Sequence, residues 1–319
     1  MSSKLDMERL SREVKEVAVR QGAVLVGIAS IDRYEPMPPY YDRIPRGQRP
    51  TDFLPNAKSV ISIAQPIMNP AIDAPANLAE MDLEMIPPDA KHGWLEAFYG
   101  KVAHFNNDVA LLLIGQYLGQ FLMANGFDAM IFPTEGVHVK PANGLSEREI
   151  MKGPNEKWAE KYSPFRYHSG PFSHRHAATR AGLGEFGYNN LVLTKKFGAR
   201  QRFNSIITDA ELIPDPLITE PICLRDKCML CWKACHVDAL YLRDDPKFKD
   251  YRSVEKVDKE VIFIDTPVKT DPVACSSRTD RIPDYPIRGD CVRVCPVPKL
   301  SKNLTKRLQA IVNKWDPGK

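Results

Sequence analysis

Cysteine, whose thiolate binds soft metals, is the clearest chemical feature of this 319-residue chain, and all seven cysteines lie after residue 222. They are Cys223, Cys228, Cys231, Cys235, Cys275, Cys291 and Cys295. The first four are spaced C-x4-C-x2-C-x3-C, and the last two form C-x3-C followed by Pro296. An odd number of cysteines fits a disulfide framework poorly, whereas clustered thiolates can bind zinc or an iron–sulfur cluster. The pattern therefore indicates metal binding.

The spacing favours two iron–sulfur clusters. In two-cluster ferredoxins, the cysteine shortly after a C-x2-C pair lies on the next turn and ligates the other cluster. The same exchange here gives a first cluster, 4Fe–4S, with the ligands Cys223, Cys228, Cys231 and Cys295. It leaves Cys235, Cys275 and Cys291 for a second cluster. Zinc remains the alternative, because C-x2-C pairs are also common in zinc sites.

The second cluster has one cysteine fewer than a standard 4Fe–4S site uses. We therefore expect either a 3Fe–4S cluster or a 4Fe–4S cluster with a non-cysteine or missing fourth ligand. Asp290 and His236 are the nearest candidate ligands in the sequence.

A glycine-rich turn, A-G-L-G-E-F-G at 181–187, precedes the cysteines. Its glycine spacing differs from that of the dinucleotide-binding fingerprint. Glycine has no Cβ, so such a turn serves either tight packing of a helix against a strand or close approach of the backbone to a large flat ligand. On spacing alone, tight packing is the simpler interpretation.

The elements that position these residues alternate between helix and strand. Apolar spacing predicts a helix over 7–21 and one long or two abutting helices over 92–125. Strands are predicted at 23–29, 56–68, 127–133, 190–194 and 200–209. Residues 36–55, 70–90 and 134–175 are predicted to be irregular, with 70–90 forming a long loop or lid. This order predicts an α/β or α+β core followed by a small cysteine-rich module.

Composition narrows the function classes. The chain is 43% hydrophobic and 26% charged, and its net charge of +4 is spread along the sequence. Nucleic-acid binding is not expected, because it needs a basic stripe or a binding motif. No apolar run approaches the length of about 20 residues that spans a bilayer, so no membrane insertion is expected. The N-terminus shows no secretory or twin-arginine signal, which predicts a cytoplasmic protein.

The stretch HAATRAGLGEFGYNNLVLTKKFGARQRFNSIITDAELIPD, followed by the cysteine run, resembles the family of cobalamin-dependent reductive dehalogenases and epoxyqueuosine reductases. The upstream LPNAKSVISIAQPI is similar to that family's early core strand. The resemblance implies a nitroreductase-like α/β core at 1–215 that binds the corrinoid and the substrate. It also implies a ferredoxin-like two-cluster module at 216–300 and a helical tail at 301–319.

The resemblance further implies that the two clusters relay electrons from a ferredoxin or a flavodoxin-type donor to the cobalt of cobalamin. The expected substrate is a small organohalide. The positions expected to contact the corrinoid are Gly182, Leu183, Gly184, Glu185, Gly187, Asn190 and Thr194.

Two departures favour the dehalogenase branch. The pattern of epoxyqueuosine reductases is D-x-x-P followed by A-G-L-G-W-x-G-K-N. This chain resembles that pattern but has His168 in place of the acid and Glu185 in place of Trp. Dehalogenases resemble A-G-L-G-E-x-G and use a tyrosine proton donor beside a basic residue that lowers its pKa. The candidate catalytic residues are Tyr162, Tyr167, His168, Tyr188 and Arg180, with Arg166 or Lys195 as other basic partners. Each tyrosine could instead be a packing residue.

Two other candidates have structural alternatives. His174 and His176 could contact the corrinoid or a cluster, or simply form a solvated helix start. Glu185 could bind backbone amides of the turn.

Two alternative functions keep part of this interpretation. An epoxyqueuosine reductase-like enzyme would use the same cofactors on an epoxide or another oxygenated substrate. An electron-transfer or corrinoid-reactivating protein would have no substrate of its own, but its need for long loops such as 70–90 and 134–175 would be hard to explain.

Overall fold

The structure, a computed structural model, describes residues 4–34, 49–81, 84–87, 94–95, 106–134, 172–242, 262–263, 266–270, 275 and 289–315. The candidate residues Tyr162, Arg166, Tyr167 and His168 lie outside these ranges.

Helices and strands alternate along much of the described chain, which confirms the predicted mixed α/β class. The strands are β1 (Leu25–Ser30), β2 (Ser59–Pro66), β3 (Ala129–Ile131), β4 (Glu185–Phe186), β5 (Val192–Leu193), β6 (Gln201–Thr208), β7 (Leu240–Leu242) and β8 (Val268–Thr270). The helices are α1 (Lys4–Arg20), α2 (Pro50–Phe53), α3 (Asn69–Ala79), α4 (Asn106–Ala124), α5 (His174–Arg180), α6 (Leu230–Ala234), α7 (Asp290–Arg293) and α8 (Lys306–Val312).

A four-stranded antiparallel sheet forms the centre of the core, in the order β1-β2-β6-β3. Strand β2 is covered on both faces, so its sequence SVISIAQP carries an almost continuous apolar run. Ile61 and Ile63 pack with α1 and α4 on one face, and Val60 packs with residues of α5 on the other. Alternate residues of a strand point to opposite faces, which explains this division.

The helix predicted at 7–21 is confirmed as α1. Leu10, Val14 and Ala18 lie on one face at helical spacing and are buried against α4. Gly22 follows with φ +107°, a left-handed conformation that ends the helix and that glycine adopts at low cost.

The prediction of a loop or lid from residue 70 was wrong for its first half, because residues 69–79 form α3. Pro70 stands in the first turn, where its missing N–H costs nothing, and Pro75 lies within the helix. Tertiary contacts compensate for the second proline. Ile72 is fully buried, and the buried Asp73 carboxylate pairs with Arg200 at 3.2 Å.

The cysteine-rich part contains shorter elements. Helix α6 carries Cys231, α7 carries Cys291, and the pair β7–β8 adds a small antiparallel sheet. The division into three domains and the nitroreductase-like and ferredoxin-like descriptions stay predictions. Among the described residues, no helix combines the length and apolarity needed to cross a membrane.

Candidate metal centre

The glycine-rich turn connects α5 to β4 and is closely packed against other backbone. A Cβ on Gly182 would lie 2.1 Å from the carbonyl oxygen of Pro216, and one on Gly184 would lie 2.1 Å from that of Leu193. Gly182 also has φ +73°, which disfavours other residues. Packing within the protein therefore accounts for both glycines, and their predicted contact with a corrinoid stays a prediction.

The other candidate cofactor positions also have protein neighbours. The Asn190 side chain donates to Thr270 Oγ1 at 2.8 Å, and the buried Thr194 hydroxyl donates to Gln201 Oε1 at 2.9 Å. The Leu183 side chain packs close to Gly27. These contacts connect residues 183–194 to β8, β6 and β1.

Glu185 is fully buried and links the glycine turn to the cysteines. Its Oε1 accepts hydrogen bonds from the backbone N–H groups of Ile222 at 2.6 Å and Cys223 at 2.7 Å. Its Oε2 accepts from Arg225 Nη2 at 3.0 Å and from the N–H of Phe263 at 3.2 Å. Glu185 therefore binds backbone amides, which was the structural alternative to contact with the corrinoid.

The backbone between Cys223 and Cys231 turns tightly. A 3-10 turn spans Arg225–Lys227, and α6 begins at Leu230. Arg225 has φ +54° and Met229 has φ +52°, a left-handed conformation that is unusual for residues with a Cβ. Both residues lie between Cys223 and Cys231, and backbone strain of this kind clusters at functional sites.

A cavity lies between this loop and the segment 295–297. Its lining contains the predicted ligands of the first cluster, Cys223, Cys228, Cys231 and Cys295. Tyr188 and Arg225 also contribute to the wall. Elsewhere in the described part of the chain, as here, no three His, Cys, Asp or Glu side chains converge on a point suited to a single metal ion.

The chemistry of these four side chains fits an iron–sulfur cluster. Burial raises the pKa of each thiol, and it raises the pKa of Cys295 to about 12. For Cys231, whose pKa is raised well above its usual value, neighbouring cysteines add to the effect of burial. Without metal, these thiols stay protonated at neutral pH, and a cluster would bind the thiolates and displace the protons.

Of the ligands predicted for the second cluster, Cys235 and Cys291 are half-buried, as are three ligands of the first cluster. Cys275 is exposed, and the Cys235 sulfur accepts a hydrogen bond from the N–H of Ala239 at 3.3 Å. The buried Asp290 carboxylate accepts from Arg293 at 2.8 Å and from Arg307 at 2.5 Å.

His236 Nε2 lies 3.4 Å from the same carboxylate. Both oxygens of Asp290 are therefore engaged by arginines, and ligation would require one of them to be released. The second cluster and its fourth ligand stay predictions.

The described catalytic candidates lie in two different places. Tyr188 is buried in the wall of the cysteine cavity, and burial, followed by the interaction with Asp226, raises its pKa. Arg180 donates to the backbone oxygen of Arg33 at 2.8 Å and lies over the ring of Tyr34 at 5.4 Å. The catalytic roles of both stay predictions.

A tyrosine proton donor is expected to lie beside a basic residue that lowers its pKa. The charge of Arg225 has this effect on the pKa of Tyr188, although burial outweighs it. Arg225 is not among the residues predicted from the sequence. Its position between Cys223 and Cys228 is the feature that could have indicated it.

The two histidines of α5 make contacts within the protein. The Nδ1 atom of His174 lies 3.0 Å from Ser205 Oγ, and its Nε2 lies 3.0 Å from the Pro133 carbonyl oxygen. His176 Nδ1 lies 2.6 Å from Ser173 Oγ. Burial lowers the pKa of His174 to about 4, which keeps the ring neutral at neutral pH.

Replacing His174 with glutamine is expected to make the free energy of unfolding depend less on pH below pH 6.5. The folded pKa of about 4 lies below the usual 6.5, so the unfolded chain binds the extra proton between these values. The neutral His174 ring contributes fully to the free energy of unfolding above pH 6.5, and this contribution is lost as pH falls towards 4. Wild type should lose about 2 kcal/mol more free energy of unfolding than His174→Gln between pH 7 and pH 4.5. Urea unfolding at both pH values measures this, and parallel profiles would contradict it.

Known proteins include some that are similar to part of this chain. No family model matches the chain. Tetrachloroethene reductive dehalogenases from Desulfitobacterium hafniense and Dehalobacter restrictus are 44% identical to it over 73 residues. Over these 73 residues the chain is similar to the reductive dehalogenases. The resemblance predicted from the sequence is thus confirmed, over a match that covers 22% of this chain and 13% of each of these dehalogenases.

A solved reductive dehalogenase structure agrees on the fold. A catabolic reductive dehalogenase in complex with 3-bromo-4-hydroxybenzoic acid superposes with a TM-score of 0.51 at 14% identity, over 98% of this chain and 35% of that one. This likeness shows the fold, and the chain spans about a third of that dehalogenase. An epoxyqueuosine reductase bound to an epoxyqueuosine-modified tRNA stem loop matches 72% of this chain and 52% of its own, with a TM-score of 0.41 and 17% identity.

Proposed function

We propose that this protein is a corrinoid- and iron–sulfur-dependent reductase that cleaves the carbon–halogen bond of a small organohalide. The observation that carries the proposal is the cavity lined by Cys223, Cys228, Cys231 and Cys295. These cysteines come from two distant runs of the sequence, as the ligand exchange of two-cluster ferredoxins requires. The relation to tetrachloroethene reductive dehalogenases supports the substrate class.

The protein's own residues would hold the clusters and order the electron path. The thiols of Cys223, Cys228, Cys231 and Cys295, of which the last is buried, would hold the first cluster. The exposure of Cys275 supports the proposal that the second cluster lies nearer the surface and receives electrons from a ferredoxin or flavodoxin-type donor. The reaction consumes two electrons and one proton, breaks the carbon–halogen bond, forms a carbon–hydrogen bond and releases halide.

The cobalamin belongs to the proposal through the resemblance of the sequence. When bound, reduced cobalt supplies the strongly reducing centre, and the protein positions the substrate and excludes water. The residues proposed to contact it are Gly182, Leu183, Gly184, Glu185, Gly187, Asn190 and Thr194. The proton donor is proposed among Tyr162, Tyr167, His168 and Tyr188.

An anaerobic assay tests this function. Wild-type protein, reconstituted with iron, sulfide and cobalamin and supplied with a chemical reductant, should bind cobalamin in its base-off form by visible spectroscopy. It should also release halide from tetrachloroethene or a bromophenol. The matched Cys231→Ala variant, which lacks a ligand of the first cluster, should bind the corrinoid and release no halide with a protein electron donor.

Two results would contradict the proposal. Absence of cobalamin binding by the iron-loaded protein would favour the electron-transfer alternative. Reduction of an epoxyqueuosine-modified tRNA stem loop without any halide release would favour the other branch of the family.

A further inference from the structure

A buried ion pair stands directly behind the cavity that we assign to the first cluster. Glu185 is 0% exposed, and its partner Arg225 is 6% exposed. Arg225 lines the cavity, and its guanidinium also lies 4.2 Å from the centre of the Phe263 ring. The pair joins the glycine turn, the start of the cysteine run and the segment at Phe263.

We propose that Glu185 is a positioning residue for the first iron–sulfur cluster and that the Glu185–Arg225 pair sets the charge beside it. This inference rests on the proposed function, because it assumes that the four-cysteine cavity holds a cluster. It gives Glu185 a role that is distinct from contact with a corrinoid.

The positioning role follows from the hydrogen bonds. The carboxylate holds the N–H of Cys223, which is the first ligand, and the N–H of the residue before it. It also holds the side chain of Arg225, which has the strained left-handed φ of +54°. The start of the ligand loop is thereby held in shape by an acceptor outside the loop. Groups that fix metal ligands from behind typically change metal affinity by about 10- to 100-fold when they are removed.

Glutamine cannot replace this carboxylate, although it has the same shape. All four groups that face Glu185 are N–H donors, two at each oxygen. The Nε2 group of a glutamine would point a donor at two other donors. Either the amides of 222 and 223 or Arg225 and the amide of Phe263 would then lose their buried acceptor, which is costly.

The charge role follows from the order of the two side chains. Arg225 is in the cavity wall, and Glu185 neutralises it from behind. Loss of the carboxylate would leave a positive charge next to the cluster, which favours the more negative reduced form. Loss of the guanidinium would leave a negative charge there, which disfavours it. The net charge around a cluster is one of the factors that set its potential.

The test compares three variants of the full chain after anaerobic loading with iron and sulfide. Glu185→Gln should release iron to a chelator about tenfold faster than wild type, and the midpoint potential of its first cluster should rise. Arg225→Gln should shift that potential in the opposite direction. Glu220→Gln is the matched control, because Glu220 is exposed, pairs with Lys195 and lies just before the cysteine run. It should match wild type in both measurements.

Opposite potential shifts would not arise from a loss of stability alone. If Glu185→Gln fails to fold, the sign of the Arg225→Gln shift still decides the charge role. Iron release and potentials equal to those of Glu220→Gln in both variants would overturn the inference. A wild-type chain that takes up no iron would overturn the cluster itself, and with it the proposed function.

Discussion

Replacing Cys295 with alanine should remove the first iron–sulfur cluster, although Cys295 lies far along the chain from the other three ligands. The structure places its buried thiol in the same cavity as Cys223, Cys228 and Cys231. Three thiolates leave one iron of a cubane without a protein ligand, so the variant should lose the intact 4Fe–4S cluster, with at least one iron atom per chain and the EPR signal of that cluster. Iron and sulfide analysis of anaerobically loaded protein measures the loss.

The matched variant is Cys235→Ala, which removes the cysteine that follows the C-x2-C pair. Our assignment gives Cys235 to the second cluster, so this variant should keep the EPR signal of the first. If Cys235→Ala lost the first cluster and Cys295→Ala retained it, the exchange of ligands between the two runs would be wrong. Zinc bound equally by both variants would contradict the iron–sulfur assignment.

Replacing Gly184 with alanine should destabilise the protein even when no cofactor is present. The new Cβ would lie 2.1 Å from the Leu193 carbonyl oxygen, a distance at which backbone must move. Glu185 pairs with Leu193 between β4 and β5, so the movement would disturb the buried carboxylate as well. Steric conflict with a buried backbone belongs to the mechanisms that give large effects, and we expect a loss of about 4 kcal/mol. Urea unfolding of apo-protein measures it.

Gly119→Ala provides the control for this prediction. Gly119 lies within α4, where an added Cβ would be 3.5 Å from the Ile131 side chain, an ordinary contact distance. Alanine is favoured over glycine in a helix interior by about 1 kcal/mol, so this variant should be as stable as wild type or more stable. An apo-protein of Gly184→Ala with wild-type stability would show that the glycine serves a ligand and not the packing.

The grouping of four cysteines around one cavity could be predicted from the sequence because the spacing within each of the two cysteine runs allows few arrangements. Four positions on a tight loop and one C-x3-C-P run were sufficient to group Cys223, Cys228, Cys231 and Cys295, and the structure brings these four to one cavity. The central strand β2 was also predictable, because it is buried on both faces and carries an almost continuous apolar run.

The role of Glu185 could not be decided from the sequence because its partners lie 37 to 78 residues further along the chain. The same reason hid the contacts of His174, whose ring lies between Ser205 and Pro133. Helix α3 was missed for a different reason. Its two prolines favour a loop locally, and the helix forms because Ile72 and the ion pair of Asp73 are buried by segments distant in sequence.

The most direct test of the central claim is the EPR spectrum of the wild-type chain, loaded with iron and sulfide, reduced and measured together with its metal content. We predict the signal of a reduced 4Fe–4S cluster that Cys231→Ala lacks and Glu220→Gln keeps. A chain that binds stoichiometric zinc and gives no cluster signal, or one whose EPR spectrum and iron content are unchanged by loss of Cys231, would contradict the account.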